Sequence, residues 1–320
     1  MLGSAISLAS ARAPIAPWWP AGARYAADFT RGLYMRDGQL IPASQAFSFT
    51  RASSKIAQGR DGRWTSFGVD VPCITERGIL LEPERQNTAL NSSWFEHWGL
   101  VRAAVTPNGR LGIDGTMSAD LITASSSNIN GAFAGASSQT VVPGLPYTFS
   151  MIVERANSDW VALMATTADF LHRQTVWFNL ATGAVGSTSG VGSEIVLAGA
   201  ATIEVLGAAQ YQVGMTVSTS ATITPAFRLY LCDGNGALAV SLGTNVWALH
   251  GQVEAGEVAS SPIITFADVH VRAVDVLLLQ VPTSAEFASL TFEDGPIEVI
   301  DGTQPYEVPT SVRLCQAWCT

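Results

Sequence analysis

The sequence predicts an all-β chain: a jelly-roll β-sandwich with an extended N-terminal arm and a strand-rich C-terminal segment. Three observations carry that prediction. Hydrophobic residues make up 48% of the chain and charged residues only 13%, with 29 Gly, a composition that suits short strands and tight turns better than amphipathic helices. From Trp94 to about Phe266, short apolar or alternating segments are separated by turn residues at the spacing a sandwich or jelly roll produces. Long helical periodicity is missing throughout. At 320 residues the chain can bury a core unaided, as one large β-domain with appendages or as two domains.

Taken in order, residues 1–48 read as an arm with short strands. Its ARAPIAPWWPAGARY stretch holds three prolines, which exclude both a regular helix and a central strand. Trp18 and Trp19 within it are either large apolar anchors for another protein's groove or rings tucked onto their own domain. ADFTRGLYMRDGQLI then suggests two short strands joined by a turn at Asp37 and Gly38. Residues 49–92 read as a connector packing on the sandwich. FSFTRASSK alternates in part, and the reversal at Gln58 to Arg63 implies strand, turn, strand. In RGILLEPERQNTALN the apolar run Ile79 to Leu81 looks like a buried strand ending at Pro83. Arg85 and Asn87 follow where a chain leaving a sheet needs polar anchors, and a guanidinium there can fix several carbonyls at once.

Residues 93–272 read as the sandwich. Its strands include SADLIT, PYTFSMIVE, DWVALMA, QTVWFNL, AATIEVLG, AQYQVGMTVS, PAFRLYLCD and WALHGQVEAG. The separators Asp114-Gly115-Thr116, Pro143-Gly144, Ala181-Thr182-Gly183 and Asp233-Gly234-Asn235-Gly236 use residues that accept positive φ or preset a turn. Residues 273–320 are again strand-like, and are expected to pair with the N-terminal strands and so protect edges that invite aggregation.

FTRASSKIAQGRDG (Phe49 to Gly62) followed by RGILLEPERQNTALNSSWFEHW (Arg77 to Trp98) resembles a signature of phage head-spike and tail-fibre proteins. In that family a Phe-Thr-Arg-Ala-Ser segment precedes a Gly-Leu-Leu-Ile-Glu-x-x-Arg-x-Asn run, and a β-sandwich resembling carbohydrate-binding modules and lectins follows. IDGTMSAD, GLPYTFSMIVER, FNLATGAVG and WALHGQVEAGEVASSPI extend the likeness in the family's order, so that it covers most of Phe49 to Asp275. The family's last piece continues with Thr-Ser-Tyr-Ile-Pro-Thr, from which this chain departs at Ser260 to Thr265. The resemblance implies a homo-oligomeric virion protein, assembled in the host cytoplasm, that adheres to a host surface polysaccharide and contacts other capsid or tail proteins. Trp18 and Trp19 then become virion-docking residues. A decoration or connector protein without a ligand is the alternative.

Other function classes find little support in the residues. A formal net charge of −9 and a pI near 4.9 argue against a nucleic-acid partner, because phosphate binding draws on clustered Lys and Arg. Lys55 is the single lysine. MLGSAISLASARA lacks the basic start of a signal peptide, and no segment offers the roughly 20 apolar residues of a membrane span. His97, His172, His250 and His270 are isolated, so no metal site is expected. Cys73, Cys232, Cys315 and Cys319 read as free thiols, with the state of the Cys315/Cys319 pair left open. No Gly-x-Ser-x-Gly elbow is present, and Gly190 to Gly192 lacks the Lys ending of a phosphate loop. A polysaccharide depolymerase would need two carboxylates about 5 to 10 Å apart, drawn from Glu154, Asp159, Asp169, Glu194, Glu204, Glu254 and Glu257; the expectation is that the protein is not an enzyme.

Sugar binding needs only an aromatic face and a few planar polar groups. Trp160, Trp177, Tyr211 and Tyr230, with Arg155, Arg173, Gln174 and Asn179 beside them in sequence, are the candidates, set against the alternative that strand aromatics fill the core. Trp177 and Phe178 are adjacent, so one ring must face inward and the other outward. No cofactor is expected; a structural calcium at Asp233 or Asp114 is conceivable but has no specific ligand spacing.

Overall fold

A computed structural model describes residues 18–58, 63–136, 140–207, 209–282, 287–293, 298–301, 306–310 and 312–319. The chain is all-β: among the described residues the only α-helix is the single turn Ala43–Ala46. No helix there is long and apolar enough to cross a membrane.

Two antiparallel sheets form the sandwich. The front sheet runs Gly99–Val101, Ala132–Gly135, Ala226–Cys232, Trp160–Thr166, Arg173–Asn179, Ala184–Val191. The back sheet runs Ala103–Leu111, Met117–Ala124, Asn245–Ala255, Tyr147–Arg155, Gln210–Thr219, Ile195–Leu197, with Thr202–Gly207 also on Gln210–Thr219. Strict alternation builds the core between them. Val161, Leu163, Val176, Phe178, Phe227 and Leu229 face inward from the front sheet and meet Phe149, Met151, Val213 and Met215 from the back. Turn chemistry follows the sequence: Gly115, Gly144, Gly183 and Gly236 all adopt positive φ.

A second β-unit is made from both ends of the chain. Its sheet runs Glu298–Asp301, Phe287–Phe292, Val312–Cys319, Tyr25–Asp28, Leu33–Arg36, Gln39–Leu40, and Gly78–Leu81 joins Val312–Cys319. A three-stranded sheet of Tyr306–Glu307, Val276–Leu279 and Phe47–Thr50 packs with it. Tyr25, Phe29, Phe47, Ile79, Leu277 and Leu314 belong to this second core. The hairpin between Leu33–Arg36 and Gln39–Leu40 turns on Asp37 (φ 46) and Gly38 (φ 79), the left-handed pair a two-residue reversal requires.

Residues 1–17 lie outside the described residues, and from Tyr25 onward the segment is strand built into the second core, because Tyr25 and Phe29 are fully buried there. Trp18 and Trp19 are half-buried and stack edge to face at 5.5 Å. Cys73, Cys232 and Cys319 are free thiols, and the Cys315 thiol meets the Arg77 carbonyl at 3.2 Å.

A hairpin of Lys55–Gln58 and Trp64–Phe67 lies against the outer face of the back sheet. Its Ile56 and Trp64 pack there on Ile152, Leu249 and Trp247. The reversal expected at Gln58 to Arg63 falls on residues 59–62, which lie outside the described residues.

Candidate functional site

The family-like segments converge on one buried polar seam between the sandwich and the second unit. Arg51, from FTRASSK, is 1% exposed; it donates to the carbonyls of Ser53, Phe67, Gly68 and Val71 and pairs with Asp275 at 3.0 Å. Arg51, rather than Arg85, thus gathers several carbonyls. Lys55 uses all three ammonium protons, on Asp275 Oδ2 (2.7 Å), Glu82 Oε2 (2.6 Å) and the Leu80 carbonyl (3.3 Å). Glu82, from LLEPERQN, also accepts from the Ser261 backbone N–H and hydroxyl and lies 3.3 Å from Arg272.

The seam continues along the back sheet's strand Asn245–Ala255, whose His250, Gln252 and Glu254 point outward and are covered. Arg272 donates to Ser260 and Ser261; Ser260 donates to both Glu254 oxygens. Gln252 donates to Glu254 at 2.7 Å, and its carbonyl oxygen lies 3.2 Å from His250 Nε2, whose Nδ1 meets the Ser93 hydroxyl. Asn87, fully buried, donates to the Gly251 and Ile263 carbonyls and accepts from the Ala89 and Val253 backbone. Arg85 lies 3.6 Å from Glu254.

Electrostatics along this seam are strongly biased. Burial raises the Glu82 carboxyl, but Lys55 and Arg272, with hydrogen bonds from Lys55 and Ser261, more than offset it and hold Glu82 well below the usual carboxylate range. Glu254, farther from a cation, is pushed up by burial. Burial pushes the His250 imidazole down to about 4, against the hydrogen bond to the Gln252 carbonyl oxygen.

Beside the seam opens a cleft of about 1080 Å³, at the upper end of the roughly 300–1,000 Å³ of small-molecule pockets. Glu82, Arg85, Ser260 and Ser261 line it from the seam, and Trp64 and Gln58 from the hairpin. Arg77 bridges its two sides: the guanidinium holds Glu204 of the sandwich edge at 2.6 Å and Glu293 of the second unit. Arg313 is 3.5 Å from Glu293. The half-buried Trp64 points its Nε1 at Gln210, 3.4 Å away. Val205 and Val258, 63% and 57% exposed, add apolar surface to the lining.

The sugar-stacking candidates do not form an open platform. Trp160, Trp177 and Tyr230 do share the outer face of the front sheet, as alternation requires, but they belong to a small core there with Phe133 and Leu238. Trp177 is 4% exposed and its Nε1 donates to the Ala237 carbonyl; Tyr230 is 3% exposed. Tyr211 is in the inter-sheet core. Only Trp160 is partly open. Gln174 donates to the Ile195 carbonyl, Arg173 to the Phe170 carbonyl, and Asn179 accepts from the turn at Ala181 and Thr182. Asp114 and Asp233 likewise close their own loops, on Thr116 and Ser118 and on Ser241 and Thr244. Among the described residues no group of three or more His, Cys, Asp or Glu side chains is placed to hold a metal ion.

The acidic candidates are dispersed: Glu154 pairs with Arg110, Asp159 with Arg155, Glu194 lies 3.7 Å from His172, and Glu254 is in the seam. Sequence reasoning missed Lys55, Glu82, Arg272 and Asp275 as one network, and Arg77 and Glu293 as cleft residues. A lone lysine in an arginine-rich chain was the available signal. Comparison of the chain with protein-family models and with curated proteins gives no match.

Proposed function

We propose that this is a non-enzymatic surface protein of a phage or phage-like particle, a head spike or fibre, that adheres to a host surface glycan through the cleft beside the seam. The observation that carries the reading is the cleft itself: it joins an indole edge, amide groups and guanidinium–carboxylate pairs, the mixture that sugar rings and hydroxyls engage. The order of the family-like segments supports the virion assignment. Two of the cleft's carboxylates, Glu204 and Glu293, are held by Arg77, an arrangement suited to binding hydroxyls rather than to proton transfer. Weak single sites suffice when copies are arrayed on one particle.

Size-exclusion light scattering of the protein mixed with host surface polysaccharide tests this. Co-elution with polymer of unchanged mass is expected, and Trp64→Ala should weaken it about tenfold, the loss of roughly one stacking contact, while Trp160→Ala leaves it intact. Polymer that shortens would identify an enzyme. Independent elution would favour the second reading, a ligand-free connector, for which the exposed apolar stretch Phe266, Val269 and Val271 speaks.

A further inference from the structure

Resting on the glycan reading above, we infer that the cleft selects neutral saccharide chains and rejects those bearing uronate or sulfate. Among the described residues three arginines line it, and each already faces a carboxylate: Arg77 meets Glu204 and Glu293, Arg313 meets Glu293, and Arg85 meets Glu254. Glu82 is balanced by Lys55 and Arg272 behind the wall. An anionic ligand that reaches one of these guanidinium groups therefore also meets the carboxylate already beside it, like charge against like. It also approaches a chain of net charge −9, whose field disfavours polyanions before contact.

A neutral sugar meets neither obstacle. Its hydroxyls donate to a carboxylate and accept from a guanidinium at the same time, so it can bind an intact Arg77–Glu204 pair from outside. That pair is accessible, with the two side chains 39% and 44% exposed. The ring's C–H face finds Trp64, Val205 and Val258 in the same lining. The volume accommodates a segment of chain rather than one ring.

The test is an array of neutral polysaccharides (dextran, galactomannan, arabinogalactan) and acidic ones (polygalacturonate, heparin), probed with the full chain at about 0.05 M and about 0.5 M salt. The expected result is retention on neutral polymers only, changing less than about twofold with salt. Glu204→Gln, an exposed change that releases one side of Arg77, should gain about tenfold retention on acidic polymers at low salt, with the gain lost at high salt. Salt-sensitive binding of the native protein to acidic polymers would overturn the selectivity while leaving glycan adhesion standing. A Glu204→Gln variant with no such gain would overturn the role given to the Arg77–Glu204 pair. Binding to neither class would overturn the adhesion reading together with the inference.

Discussion

Lys55 illustrates how one side chain can carry the meaning of a motif. Its ammonium is a compact point charge with three donors, and here those donors reach two carboxylates and a carbonyl in three directions, a task a planar guanidinium fork cannot perform. Replacing it with methionine keeps the stem's packing but leaves Asp275 and Glu82 short of a cation where little or no surface is exposed. Lys55→Met is therefore expected to cost about 3–5 kcal/mol, the range for breaking one partner of a buried pair, read from the urea midpoint at constant slope. His250 makes a pH prediction from the same seam. Its folded-state pKa, about 4, lies below the 6.5 of an unfolded histidine, so the unfolded chain takes up a proton that the folded one refuses. The contribution is fully present above pH 6.5, falls as the pH drops through that value, and levels off near 4. The span corresponds to about 3 kcal/mol. Asp120, raised by burial to about 6, and Glu254, also raised, act in the opposite sense as they protonate. The measurement is accordingly a difference: urea midpoints of the native protein and His250→Gln between pH 7 and pH 4, with the native protein expected to lose more on acidification.

At the scale of the element, alternation was legible and coverage was not. The adjacent Trp177 and Phe178 were bound to face opposite ways, and they do: Phe178 enters the inter-sheet core and Trp177 the outer face. Nothing local to that strand says that Leu238 and the Ala237 carbonyl, some sixty residues on, will close over the indole, because that contact belongs to a loop between two other strands. Gly251 shows the converse, a local residue dictated by a distant ring. A Cβ at this position would stand 2.5 Å from Trp98 Cη2 and 2.9 Å from Met151 Sδ, so the strand Asn245–Ala255 can carry the buried Trp98 against its inner face only if residue 251 has no side chain. Gly251→Ala is expected to destabilise by about 1–3 kcal/mol through overpacking, measured as a fall in thermal midpoint, and Gly251→Ala with Trp98→Phe should recover part of it.

For the whole molecule, the strands and their turns could be read from the chain because they rest on periods of two and on Gly, Asp and Asn at reversals. The joining of the two units could not, since Arg51 and Asp275 are 224 positions apart and no period links them. The motif residues turn out to be the two ends of that join: Arg51 and Lys55 lie on one side, Glu254 and Ser260 on the other, with Glu82, Arg272 and Asp275 between. A buried polar network of this extent is costly to open in part, because each separated member would be left buried and unpaired or would have to take up water. The sandwich and the terminal unit should consequently lose structure in one transition rather than two. Lys55 provides the probe, as the chain's single lysine with a side chain of zero exposure. An amine-reactive ester should modify Lys55 only as fast as the seam opens, and mass spectrometry of the Lys55 peptide across a urea series should trace the same midpoint as the loss of β-sheet circular dichroism. Labelling at urea concentrations where the circular dichroism is still native would mean that the units part first, and that the seam is a hinge rather than a clamp.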